Sequence, residues 1–137
     1  MMSKKTISVA SKKAKARRLQ DWTAKQIAKL LSCDWGKDCV VASREMGQSG
    51  TDIRLIGEAQ EKFNYSVECK NQETWSLPAW IKQAKANQKE NTNWLLVCKR
   101  NHHEPIVVLD ATVFFGILKQ LLEYQLKSID KASMEGN

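Results

Sequence analysis

Residues 93–99, NWLLVCK, contain an apolar run from Trp94 to Cys98 with no polar alternation. Such a strand is apolar on both faces and is stable only where both are covered, which places it at the centre of a sheet with helices on either side. The flanking segments supply those helices. From about Ser11 to Leu31 the pattern is helical: Leu19, Trp22, Thr23, Ile27, Leu30 and Leu31 line one stripe, uninterrupted by Gly or Pro. Pro78 suits the first turn of a second helix running to about Lys89, with Trp80, Ile81 and Ala84 inward. "ATVFFGILKQLLEYQLKS" is a closing amphipathic helix.

The remaining strands are shorter. "CVVAS" and "DIRLI" read as two strands joined by the Gly-containing loop "REMGQSG", and a turn near residues 57–62 leads into a third. "PIVVLD" pairs after the "RNHHE" turn. The order is α-βββ-α-β-β-α, an α/β fold with a mixed sheet of about five strands and flanking helices. At 137 residues and 42% hydrophobic, the chain suits one domain with a core large enough to fold unaided. That domain is expected over residues 11–130, with a disordered basic arm at 1–10 and a flexible tail at 131–137. There is no apolar run of eighteen residues and no apolar signal core behind the Lys-rich start, so a cytoplasmic protein without a membrane partner is expected. Cys33, Cys39, Cys69 and Cys98 lack C-x-x-C spacing and read as buried free thiols.

Charge is unevenly placed. Residues 1–31 hold nine Lys and Arg against the single acid Asp21, a net of +8, while the other 106 residues carry thirteen basic and fourteen acidic side chains. A concentrated basic block is the footprint of a polyanion partner, most often nucleic acid; the plain alternative is a solvated tail. Lys12, Lys13, Lys15, Arg17 and Arg18, on the first helix, are the candidate phosphate contacts.

The third strand carries the chemistry. Phe63, Tyr65, Val67 and Cys69 fall on one face, and Asn64, Ser66, Glu68 and Lys70 on the other. An exposed i, i+2 ion pair would account for Glu68 and Lys70 alone. Asp52, however, opens the second strand, and an antiparallel hairpin of strands two and three would bring it beside Glu68 and Lys70. Two adjacent carboxylates repel unless a cation neutralises them, and a hard ion such as Mg²⁺ prefers carboxylate oxygens and waters. With a neighbouring ammonium, this is the equipment of phosphodiester hydrolysis.

At these residues the chain resembles the PD-(D/E)XK nuclease superfamily. "RRLQDW", "SREMGQSGTDI" and "FNYSVECKNQETW" followed by "AWIKQA" are similar to small phage endonucleases of the Holliday-junction-resolvase type, over about residues 12–115. The resemblance implies a restriction-endonuclease-like core, a Mg²⁺ cofactor for which Mn²⁺ could substitute, and a homodimer acting on four-way-junction DNA in the host cytoplasm. Asp52 and Glu68 would hold the metal with the Cys69 backbone carbonyl, and Lys70 would serve the attacking water.

The chain also departs from that pattern. Where relatives carry a Glu on the first helix, it has Gln20 beside Asp21, and Thr51 replaces the Pro before the Asp. Gln20 would reach the metal through water; Asp21 would substitute only in a rotated helix. Ser43 or Ser49 matches a loop serine that contacts the scissile phosphate, or simply forms a turn. Gln83 on the second helix would point back to the sheet edge. Trp75 and Trp80 flank the loop after Lys70, where Trp75 would stack on a base or wedge a junction; packing serves Trp80 equally well. His102-His103-Glu104 reads as a solvated turn. The closing helix is broader than one core face needs and would support a dimer. Two rivals remain: a repair or debranching nuclease of the same fold, and a DNA-binding module that has lost catalysis.

Overall fold

The computed structural model describes residues 8–45 and 47–136. Helix α1 spans Val9–Leu30, with the Ser8 side chain accepting from the Ser11 N–H at its start. It ends where Ser32 turns left-handed (φ 54°) and the Cys33 N–H reaches back to the Ala28 carbonyl. There follow β1 (Val41–Ser43), β2 (Ile53–Leu55), α2 (Glu58–Lys62), β3 (Tyr65–Asn71), α3 (Leu77–Ala86), β4 (Asn93–Lys99), β5 (Ile106–Val108) and α4 (Ala111–Glu135).

The apolar run takes the central place its composition requires. β4 lies between β3, to which it is parallel from Tyr65↔Asn93 to Asn71↔Lys99, and β5, to which it is antiparallel. Parallel neighbours need a crossover, and α3 provides it. One face of this sheet meets α1: Leu19, Ala24, Ile27 and Ala28 pack with Val41, Ile53, Val67, Cys69 and Val97. The other meets α3 through Trp80, Leu96 and Cys98, with Ile81 and Trp94 half-buried against them.

Several expectations are corrected. The five strands pair as two sheets, β1–β2 and β3–β4–β5, rather than one. The short helix α2 occupies the expected turn, and the Cys69 N–H, which a β2–β3 ladder would pair with a main-chain carbonyl, goes to the Asp52 side chain instead. Trp22 and Leu30 are 44% and 70% exposed, because Ala24 and Ala28 rather than these larger residues extend the stripe against the sheet. Of the expected arm, residues 1–7 lie outside the described residues, while Val9 and Ala10 already belong to α1. The expected tail is helical through Glu135, since no Gly or Pro occurs between Gly116 and Gly136; Asn137 lies outside the described residues. All four cysteines are free; Cys69 and Cys98 are buried, whereas Cys33 and Cys39 are only half-buried.

No helix among the described residues is long and apolar enough to cross a membrane. Helix α4 buries none of its 25 residues.

Candidate active site

The β1–β2 hairpin aims the first acid. Gly47 and Gly50, at φ 82° and 106°, give the loop left-handed turns that a side chain would resist, and the Arg44 N–H to Asp52 carbonyl bond (2.8 Å) closes it. Asp52 then crosses to β3 on two bonds. Its N–H donates to the Val67 carbonyl at 2.9 Å, and its carboxylate Oδ2 accepts the Cys69 N–H at 2.8 Å. The remaining oxygen, Oδ1, faces Arg44 Nη2 at 3.2 Å.

Glu68 is reached by the pleat of β3. Its face is not the solvent-facing one that alternation suggested: Glu68 is 2% exposed, and α3 covers this side. Asn87 Nδ2, at the end of α3, donates to Glu68 Oε1 at 3.0 Å. Burial above all, then the Asp52 charge, raises the Glu68 pKa from 4.5 to about 7, against the Asn87 hydrogen bond and the Lys70 charge, which lower it. The structure thus contains two acids that cannot both ionise cheaply. Lys70 is half-buried nearby, with no salt bridge among the described residues, so no i, i+2 ion pair forms.

Asp52, Glu68 and Lys70 line one cavity of about 530 Å³ together with Gln20, Gln83 and Lys12. Among the described residues no cluster of three or more His, Cys, Asp or Glu side chains is placed to share a metal, so two carboxylates would need completion by other oxygens. The Cys69 carbonyl is placed for that: the N–H and C=O of a strand residue leave on the same edge, and the Cys69 N–H is on the Asp52 edge. The Cys69 thiol is a poor ligand, since burial pushes its pKa far up.

Lys15 also lines the cavity of the two acids, while the other expected site residues lie elsewhere. The Ser43 hydroxyl donates to Asp21 Oδ1 at 2.6 Å in a separate cavity with Arg17 and Arg54, so α1 presents Gln20, not Asp21, to the two acids. Lys15 is buried and pairs with Glu73 at 2.6 Å, and this bond, with the Asn101 N–H, holds the Glu73 carboxyl below its usual range. Its charge is therefore engaged rather than free. Lys13 and Arg17 line a neighbouring cleft with Gln20 and Arg44. Arg18 and Ser49 are exposed. Trp75 donates from Nε1 to the Gln72 carbonyl and packs 6.0 Å from the buried Trp80, on the rim of another pocket with Arg100 and His103. His102, His103 and Glu104 sit exposed in a turn.

Two residues that contact the acids escaped sequence reasoning: Asn87, bonded to Glu68, and Arg44, paired with Asp52. Asn87 carried no signal, being one polar residue after a helix. Arg44 carried one: with Ser43 opposite Ile53 in the hairpin, the next pair is Arg44 and Asp52.

A family model described as "Phage putative PDDEXK endonuclease" matches residues 16–135. No curated protein matches the chain. No solved structure matches it either.

Proposed function

Since this chain belongs to the phage PDDEXK endonuclease family, we propose that it is a Mg²⁺-dependent, structure-selective DNA endonuclease that resolves four-way junctions as a homodimer in the host cytoplasm. The observation that carries this reading is the convergence of Asp52, Glu68, Lys70 and Gln20 on one cavity. The donor set fits a hard divalent ion: carboxylate and carbonyl oxygens in a pocket where burial and the Asp52 charge raise the Glu68 pKa to about 7, a cost that a bound cation would relieve. Asp52, Glu68 and the Cys69 carbonyl would hold Mg²⁺, with Mn²⁺ able to replace it. Bound there, the ion supplies a polarised phosphoryl oxygen and a more acidic water. Lys70 would orient that water and offset the negative charge that develops on the phosphate. Gln20 would reach the same cluster through a water, and Lys12, Lys13 and Arg17 would seat the DNA backbone.

The dimer rests on α4. Its exposed Phe114, Ile117 and Leu121, and the adjoining row of Leu122, Leu126 and Ile129, each repeat at three- and four-residue steps along a helix. A 25-residue helix is about 37 Å long, enough for a seam on the scale of the roughly 800 Å² per partner of a stable interface. A twofold pair would set two sites at a fixed spacing, as paired nicks in a symmetric junction require.

The test uses a labelled four-way junction, a flapped duplex and a matched linear duplex, each with Mg²⁺ or with EDTA. Paired nicks in the junction alone, lost in Asp52→Asn and Lys70→Ala while binding persists, are expected. Cutting of the flap alone would make this a repair nuclease, and junction binding without cutting would make it a binding module.

A further inference from the structure

Arg44 lines the cavity of the two acids and pairs with one of them, Asp52, without belonging to any expected role. Its Nη2 lies 3.2 Å from Asp52 Oδ1, and Nη1 donates to the Gly50 carbonyl at 2.6 Å. Asp52 Oδ2 accepts the Cys69 N–H and Oδ1 faces the guanidinium, so a cation that binds Oδ1 competes with Arg44. The Arg44 main chain is held from both directions: its N–H bonds the Asp52 carbonyl, and its own carbonyl accepts from Arg17 Nη1. Its side chain is 30% exposed. It lines both the cavity of the two acids and the adjoining cleft of Lys13 and Arg17. The backbone is pinned, and the guanidinium lies between the Asp52 carboxylate on one side and, on the other, the basic cleft of Lys13 and Arg17, where a DNA phosphate would sit.

We propose that Arg44 is an exchangeable cation: it neutralises Asp52 while the divalent site is empty, and it moves to a backbone phosphate of the DNA when a divalent ion takes Oδ1. This deepens the nuclease reading and rests on it. Each ligand then assists the other. The ion releases Arg44 for the phosphate, and a phosphate that draws Arg44 away clears Oδ1 for the ion, so the two affinities rise by the same factor. Arginine suits the role because its planar fork matches carboxylate and phosphate alike.

The experiment measures binding at equilibrium in the full chain, with no turnover. Titration calorimetry with Mn²⁺ alone compares wild type, Arg44→Gln and Arg44→Lys, with melting curves to confirm folding. Fluorescence anisotropy then gives the affinity for a labelled four-way junction in EDTA and in Ca²⁺. Removing a competing ion pair should tighten Mn²⁺ binding in Arg44→Gln by about two- to fivefold. Arg44→Lys, a charge without the fork, should fall between. The gain in DNA affinity on adding Ca²⁺ should be smaller in Arg44→Gln than in wild type. Equal or weaker Mn²⁺ binding by a folded Arg44→Gln, or an unchanged Ca²⁺ effect on DNA, would overturn the exchange while leaving the metal-dependent reading in place. Absence of Mn²⁺ binding by wild type would overturn both.

Discussion

Asn87 Nδ2 and Glu68 Oε1 lie 3.0 Å apart, so the residue that ends α3 holds the acid at the middle of β3. The crossover helix of the β3–α3–β4 unit thereby covers the sheet and also positions a site carboxylate. Helix α3 is part of the candidate site's construction, not only of the core.

That contact sets a pH dependence. Between the ordinary 4.5 and the raised value of about 7, native Glu68 keeps a proton that the unfolded chain has lost. Its contribution to stability is therefore full below about pH 4.5 and is lost as pH rises through about 7. Melts in EDTA are expected to show this decline, and Glu68→Gln should flatten it, with a gain of roughly 1–3 kcal/mol above pH 7. Divalent-ion binding should run the other way, tightening through the same window as the proton is displaced. Asn87→Ala removes a bond that favours the ionised acid, so it should move the Mn²⁺-binding midpoint to higher pH. A midpoint that does not move would separate Asn87 from the site.

Gln20 and Asp21 are adjacent in sequence but open on different cavities. Gln20→Glu adds a third acid to the cluster and should tighten Mn²⁺ binding, while Gln20→Ala should slow cleavage. Asp21→Ala breaks the Ser43 bond and should cost about 1 kcal/mol of stability with cleavage retained. Loss of cleavage in a folded Asp21→Ala would reverse the assignment.

The basic helix divides in the same way. Lys12→Ala and Lys13→Ala together should lower the slope of log K against log salt by up to about 0.9 for each phosphate that is no longer neutralised. Lys15→Ala leaves the Glu73 carboxylate without its cation, so its principal effect should be on the melting temperature. A salt slope that changes only in Lys15→Ala would contradict this division.

Leu122→Glu with Leu126→Glu places two charges on the uncovered stripe of α4. Sedimentation equilibrium is expected to show a dimer for the wild type and a monomer for the double variant, with unchanged helix content by circular dichroism. A wild type that sediments as a monomer at tens of micromolar would remove the dimer from the proposal.

Local periodicity by itself determined the order of the main helices and strands, the central place of 93–99, and the shared face of Glu68 and Lys70. Alternation and helical stripes depend only on side-chain direction along one element, so they are written in consecutive residues. Which of those faces would be buried, and by what, was decided by packing. Ala24 and Ala28, not Trp22 and Leu30, meet the sheet. Lys15 commits its charge to Glu73, 58 residues away, and Ser43 turns to Asp21 rather than to the two acids. Asp52 takes a main-chain N–H 17 residues on, and Asn87 reaches Glu68 across 19. These partners are separated by loops and a crossover helix. Their meeting depends on how whole layers stack, which no short window of sequence records.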